Sequence, residues 1–120
     1  MVIQADDERL LETVIVNLGT DANGPWARPR QAVALQRESG GDKVRFQSRY
    51  PFEVAFKGET PFEWASAEGE AENGLHVAYG TVQPNTLGPG VPEKWFGYDL
   101  TVDGVTIDPD VVVKKDPRDT

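Results

Sequence analysis

The clearest alternation of hydrophobic and polar positions lies near the C-terminus, between residues 95 and 102. Every second side chain there is apolar, and one face of the predicted strand carries Phe96, Tyr98, Leu100 and Val102. The dipeptide Asp103-Gly104 follows, which is the strongest two-residue signal for a hairpin. The alternation resumes at Val105 and is interrupted at Asp108-Pro109, so the second strand is predicted to be an edge strand or to contain a bulge.

A second alternating unit covers residues 30–57. Val33 and Leu35 alternate with small and polar side chains, and a turn is predicted at 39–42. The next predicted strand has two distinct faces, with Val44, Phe46 and Ser48 on one side and Arg45, Gln47 and Arg49 on the other. Tyr50-Pro51 ends that strand, and a further strand is predicted over 52–56.

Two weaker segments, 12–18 and 75–79, also alternate, which makes about seven predicted strands in all. Three segments are predicted to be long loops because they are rich in glycine, proline or acidic residues: 19–29, 58–74 and 83–94. The chain holds 12 glycines and nine prolines, a content typical of short strands joined by turns.

These patterns predict an all-β fold, an antiparallel two-sheet sandwich of about seven strands with Greek-key connections. A small closed barrel is the alternative. We expect residues 1–120 to form one domain, with 1–11 and 114–120 as loosely ordered tails.

Composition excludes several classes of protein. The chain has 120 residues and no cysteine, so it has no disulfide scaffold, no thiol catalysis and no iron–sulfur cluster. Its net charge of -8 argues against binding to nucleic acid or to an anionic membrane. It contains no apolar run long enough to span a membrane and no signal-peptide pattern at its start, so we expect a cytoplasmic protein.

Three short motifs resemble the cupredoxin-type β-sandwich, a relative of the immunoglobulin-like folds. They are VALQR at 33–37, GDKVRF at 41–46 and VAFKG at 54–58. The segment 98–113 is similar to the last hairpin of that family. The resemblance implies a Greek-key sandwich over about 80 residues of the chain.

The chain departs from that family at its copper site. A blue-copper centre needs two histidines, a cysteine and usually a methionine, whereas this chain has His76 alone, Met1 at its start and no cysteine. We therefore expect no metal centre, no cofactor and no electron transfer, since a shared fold does not carry function with it.

The candidate catalytic groups have plain structural interpretations. By alternation, His76 is predicted to face outward from its strand, and no partner is evident that would make it a general base. A cluster of carboxylates suggests glycosidase chemistry, but it lies in a polar segment that would not separate their pKa values: Glu59, Glu63, Glu68, Glu70 and Glu72. A loose calcium site at Asp108 and Asp110 is left open. We assign no catalytic residue.

Charge is unevenly distributed along the chain. Residues 28–57 hold seven basic and three acidic side chains, whereas the remainder holds five basic and 17 acidic ones. Arg45 and Arg49 are predicted to share one strand face. That face is either a solvated surface paired with neighbouring acids or a basic patch for an acidic partner.

Three tryptophans lie in or beside predicted loops, where tryptophan either plugs the end of a sandwich or forms a binding platform. Trp64, close to Phe62, is the main candidate for an exposed binding residue, although a core plug is an equal alternative. Trp26 could cap the core, and Trp95 is predicted to pack because it begins a strand.

The leading hypothesis is a non-catalytic module that binds another protein. The candidate binding residues are Trp64, Phe62, Trp26, Arg45 and Arg49. The first alternative is a carbohydrate-binding module that stacks sugar rings on its loop tryptophans, and the second is a small hydrolase using His76 or paired glutamates. No nucleic acid, membrane or metal partner is expected.

Overall fold

The computed structural model describes residues 13–38 and 40–117, and the segment 1–11, expected to be a loose tail, lies outside them. The described residues form eleven strands, more than the seven predicted. They are β1 (Thr13–Asp21), β2 (Gly24–Arg28), β3 (Gln31–Gln36), β4 (Lys43–Ser48), β5 (Phe52–Phe56), β6 (Ser66–Glu68), β7 (Glu70–Glu72), β8 (Leu75–Thr81), β9 (Glu93–Val102), β10 (Val105–Ile107) and β11 (Asp110–Lys115). No described segment forms a long apolar helix of the kind that crosses a bilayer.

The strands form two sheets, which confirms the predicted all-β two-sheet sandwich. The five-stranded sheet has the order β2-β1-β4-β8-β7, and the six-stranded sheet has the order β3-β11-β9-β5-β6 with β10 beside β9. Both sheets are mixed, because β1 runs parallel to β4 and β3 runs parallel to β11. The expected fully antiparallel arrangement is therefore wrong. After the β1–β2 hairpin, β3 lies in the opposite sheet, and β4 returns beside β1 in the same direction.

The C-terminal hairpin is confirmed. β9 and β10 are joined at Asp103 and Gly104, whose φ angles of 54° and 76° are those that the Asp-Gly turn requires. The interruption at Asp108-Pro109 is not a bulge, because β10 and β11 pair with β9 in one continuous register, with Ile107 opposite Leu100 and Asp110 opposite Gly97. The carbonyl of Pro109 accepts a hydrogen bond from the backbone N–H of Tyr98 at 3.0 Å. Among the described strands β10 pairs with β9 alone, as an edge strand does, whereas β11 lies between β9 and β3.

The segment predicted to be a loop at 19–29 is a hairpin instead. β1 extends to Asp21 and β2 begins at Gly24, whose φ of 101° suits glycine at a tight turn. The side chain of Asp21 accepts a hydrogen bond from the backbone N–H of Asn23 at 2.8 Å. The residues that predict a loop here therefore form a tight turn between two strands. The hairpin places Trp26 directly opposite Gly19.

The segment predicted to be a loop at 58–74 contains β6 and β7, which belong to different sheets. β6 pairs with β5, β7 pairs with β8, and the chain crosses between the sheets at Gly69. The backbone N–H of Gly69 donates to the carbonyl of Phe52 at 3.0 Å, and the Phe52 ring leaves no room for a side chain there. This corner joins the two sheets along one side of the sandwich.

The core lies between the sheets, as the alternation predicts. The four apolar residues of β9 are all buried, and the rings of Phe46, Phe56, Phe62, Trp64 and Tyr98 form one cluster. In β3 it is Ala32 and Ala34 that face the core, whereas Val33 is exposed. Both alanine side chains are fully buried.

Three buried charged residues tie the end of the chain to β3. Nη1 of Arg37 contacts Oδ1 of Asp42, and its Nε contacts Oδ2 of Asp116, both at 2.6 Å. Desolvation lowers the pKa of Arg37, but its bonds to both carboxylates outweigh this effect, so the net pKa is raised. Because β11 includes Lys115 and Asp116 is buried, the tail expected from residue 114 is ordered through Asp116.

Candidate functional site

Three of the five candidate binding residues come together on the solvent-facing side of the five-stranded sheet. We call this side the outer face, and define it by Ile15, Asn17 and Gly19 of β1, Trp26 and Arg28 of β2, Lys43, Arg45 and Gln47 of β4, and Tyr79 of β8. Arg49 follows β4 at one end of this face. The predicted strand face of Arg45 and Arg49 thus meets Trp26 across β1.

A chain of hydrogen bonds holds the polar side chains of the outer face in place. Gln47 donates to Asn17 at 2.8 Å and accepts from Nε of Arg45 at 2.7 Å. Nη1 of Arg45 reaches the Tyr79 hydroxyl at 2.7 Å and a carboxylate oxygen of Glu72 at 3.1 Å. Since each group is bonded to the next, the amides are oriented before any ligand arrives.

Tyr79 forms the aromatic part of this network. Lys43 and Arg45 lie 5.6 Å and 5.5 Å from its ring centre, within the range of cation–π attraction. Desolvation and the hydrogen bond to Glu72 raise the pKa of the Tyr79 hydroxyl, although Arg45 acts to lower it. The hydroxyl therefore stays protonated and remains a donor to Glu72, at 3.0 Å.

An open groove of about 470 Å³ lies at the end of the outer face. Its walls and floor include Asn17, Trp26, Gln47, Arg49, Tyr50 and Leu75. This volume is within the range of ligand pockets, and no acidic residue lines the groove. Tyr50 and Leu75 carry no local sequence signal for a site, since each lies beside a strand end and they meet only through the pairing of β4 with β8.

The position of Trp26 depends on its small neighbour. Its indole ring lies against Gly19, where an added side-chain carbon would collide with the ring. The guanidinium of Arg28 lies 4.6 Å from the ring centre. Trp26 is half-buried and forms one wall of the groove rather than a cap on the core.

Most basic side chains in the described ranges lie within 4 Å of a carboxylate, but four do not: Arg28, Lys43, Arg49 and Lys115. The first three belong to the outer face or to the groove at its end. In a chain of net charge -8, three of the four described cations without a carboxylate within 4 Å thus lie on one surface.

The other two candidate residues lie in the interior. Phe62 is buried, and Trp64 is half-buried against the core with its indole N–H bonded to the carbonyl of Tyr79 at 2.7 Å. Of the two alternatives for Trp64, the structure supports the core plug. The segment that carries both residues folds inward because their rings complete the aromatic cluster.

Trp95 differs from its prediction, because it is 51% exposed rather than packed. It lies on the outside of the six-stranded sheet, in one row with Val112 and Val33, and its indole N–H bonds Glu93 at 2.9 Å. The alternation of β9 predicts this exposure, because Trp95 and the buried Phe96 are adjacent and point to opposite sides of the sheet.

Replacing Trp95 by phenylalanine is expected to remove most of the tryptophan emission that acrylamide quenches. The reason is that Trp26 and Trp64 are both half-buried, whereas Trp95 is open to solvent. Stern–Volmer plots of the wild type and the variant measure this directly. A quenching constant unchanged in the variant would show that another indole is the accessible one.

The candidate catalytic groups have structural roles. His76 has the parity of the core residue Ala78, so it faces inward and is half-buried, which corrects the predicted outward orientation. It makes no side-chain hydrogen bond within the described ranges. Glu63 accepts from the backbone N–H of Thr81 at 2.8 Å, and Glu59 pairs with Lys94 at 2.8 Å.

The position considered for calcium is occupied by basic side chains. Asp108 contacts Arg30 at 3.4 Å and Lys57 at 3.3 Å. Desolvation lowers the pKa of Lys57, but its bonds to Asp108 and Asp99 outweigh this effect, so Lys57 remains a cation there. In the part of the chain that the structure describes, no group of acidic or histidine side chains is arranged to hold a metal ion.

The chain matches no protein-family model, no curated protein and no solved structure.

Proposed function

We propose that this protein is a non-catalytic interaction module that binds an acidic segment of another protein on its outer face. The observation that carries the proposal is the convergence of Arg28, Lys43 and Arg49, three cations with no carboxylate within 4 Å among the described residues, on a surface that also presents aromatic rings. Interfaces are enriched in arginine and aromatic residues, and complementary charge steers the encounter.

The arrangement of the face supports a protein partner over a nucleic acid. The chain as a whole carries a net charge of -8, which repels a long polyanion, whereas a short acidic segment is affected mainly by the charges nearest to it, among them Arg28, Lys43 and Arg49. The bonded amides of Asn17 and Gln47 add polar groups that can pair with a peptide backbone.

Selection from a displayed library of random peptides tests the proposal. We expect the wild-type protein to enrich peptides that contain Asp and Glu, and the triple variant Arg28→Gln, Lys43→Gln, Arg49→Gln to lose this enrichment. Lys115→Gln is the matched control, because Lys115 is also exposed and has no described carboxylate within 4 Å, but it lies on β11. Equal enrichment by the triple variant would contradict the proposal, provided that its circular dichroism spectrum is unchanged.

A carbohydrate ligand is the second candidate, favoured by the groove itself. Trp26 and Tyr50 offer ring surfaces there, and Asn17 and Gln47 offer planar amides, the two kinds of group that bind sugars. This candidate uses Trp26 instead of Trp64. Binding on a glycan array that Trp26→Ala abolishes would support it, and an array without any signal would remove it.

We also propose that the sandwich is cupredoxin-like in its arrangement, without copper. The two sheets, the hairpin of β9 and β10 and the parallel pairs support this classification. A cytoplasmic location is part of the proposal, on the sequence pattern alone. The hydrolase hypothesis is not carried further, since the glutamates Glu59, Glu63 and Glu72 all bond structural partners.

A further inference from the structure

Of the three outer-face cations that have no carboxylate within 4 Å among the described residues, Lys43 and Arg49 lie at the two ends, and Arg28 lies between them, opposite Asn17. Lys43 is the first residue of β4, and Arg49 follows the last. They are six residues apart and have the same parity, so they belong to the same side of the sheet. At a rise of about 3.3 Å per residue, an extended backbone covers the separation of about 20 Å in the same number of residues.

The surface between these cations changes from apolar to polar. Ile15 lies beside Arg45 in the row next to Lys43, and its side chain is 48% exposed. The following row holds the bonded amides of Asn17 and Gln47. Along β4 and β1 the order is therefore Lys43, then Ile15, then the amide pair, and then Arg49 at the groove. Arg45, bonded to Glu72, lies beside Ile15, and Arg28 lies beside Asn17.

We propose that the partner of this face is an extended segment with two acidic side chains six residues apart and an apolar side chain between them. This inference rests on the proposed function and specifies its ligand. Alternate side chains of an extended peptide point the same way, so acids at the ends of the segment reach Lys43 and Arg49 together. An apolar residue two positions from the Lys43 end then covers Ile15.

Arg49 binds the acidic residue at one end of the proposed peptide segment. Its guanidinium has no acidic neighbour among the described residues and lines a groove without carboxylates. A carboxylate there can form a bidentate contact with the guanidinium, in a groove that Trp26 and Tyr50 also line. Lys43 supplies only a point charge, so it tolerates either Asp or Glu.

Two blocked peptides of identical composition test the spacing. In Glu-Ser-Leu-Ser-Leu-Ser-Glu the acids match the separation of Lys43 and Arg49, and either direction of binding puts a leucine over Ile15. In Leu-Ser-Glu-Ser-Glu-Ser-Leu the acids are close together. Fluorescence anisotropy of the labelled peptides gives their affinities, and amide shifts in NMR spectra show whether β4 and β1 are contacted.

We expect the spaced peptide to bind more tightly. Lys43→Gln and Arg49→Gln should each weaken it by about three- to fivefold, as for one exposed charge pair, and Lys115→Gln should not. The affinity should fall as salt is added, because the contacts are exposed. The three positions are on the surface, so the variants are expected to fold.

Other outcomes distinguish a failure of the proposed spacing of the two acidic residues from a failure of the proposed function. If both peptides bind equally and the triple variant of the outer face loses both, the proposed function stands and the spacing is wrong. If neither binds but selection from the library still yields acidic peptides that depend on Lys43 and Arg49, the spacing is again wrong. Tighter binding of single-stranded DNA or of a uronic-acid oligomer would overturn the peptide as the ligand.

Discussion

Replacing Arg37 by methionine is expected to lower the free energy of unfolding by about 3–5 kcal/mol. Arg37, Asp42 and Asp116 are 3%, 3% and 1% exposed, so removing the guanidinium takes a buried cation away from two buried carboxylates. Asp42 is also held in place by a second hydrogen bond, because its other carboxylate oxygen accepts from the backbone N–H of Leu35 at 3.0 Å. Urea denaturation followed by circular dichroism gives the change.

Two controls show whether the loss arises from the buried charges. Arg30→Met removes an exposed pair with Asp108 at 3.4 Å and should cost less than about 1 kcal/mol. Adding Asp42→Asn and Asp116→Asn to Arg37→Met should recover part of the stability, since neutral amides are less costly to bury than carboxylates. A loss in Arg37→Met no larger than that of Arg30→Met would show that the triad contributes little.

Truncating Phe46 to alanine should cost about 3–5 kcal/mol. Its ring is fully buried at the centre of the aromatic cluster, with ring centres at 5.6 Å from Tyr98, 6.1 Å from Phe62 and 6.3 Å from Trp64. The cavity left behind cannot close easily, because both sheets and the segment before β6 meet there. Chemical denaturation measures this, and Phe46→Leu should be milder because it leaves a smaller cavity.

Ile15→Ala is the matched control for Phe46. Ile15 lies on neighbouring β1 and points to the opposite side of the sheet, where it is about half exposed. Its truncation should cost less than about 1 kcal/mol, since little apolar surface returns to water. A similar cost for both variants would contradict the assignment of the core to the space between the sheets.

The sequence predicts best the features that depend on residues close to one another along the chain. The hairpin after β9 follows from an alternating strand and an Asp-Gly turn within one short segment. The two faces of β4 follow from strict parity, with Phe46 inward and Arg45 outward. The all-β class follows from many such short segments.

The features that sequence missed depend on distant pairing. The parallel pairs of β1 with β4 and of β3 with β11 join segments that have no local signal for each other. β6 and β7 are short and acidic, so they lack the apolar alternation of a strand and form because β5 and β8 offer free edges. Their crossing at Gly69 is visible only in three dimensions.

In the candidate site, too, local features were predictable from sequence, whereas contacts between distant strands were not. Trp26, Arg45 and Arg49 were identified by residue type and parity, but their meeting with Tyr50 and Leu75 in one groove required the sheet order. Among the other aromatic residues, the position in a loop was misleading. Trp64 folds back onto the core because it completes a cluster of rings, a contact that sequence distance conceals.

The central position of β11 has a consequence for how the protein is made. Among the described strands β3 pairs only with β11, and Arg37 has Asp116 as one of its two carboxylate partners. On the ribosome, β3 therefore has no neighbouring strand of its own sheet until β11 has been synthesised. The six-stranded sheet cannot be completed until residues 110–116 emerge, and a nascent chain stalled before that point presents an open strand to its surroundings.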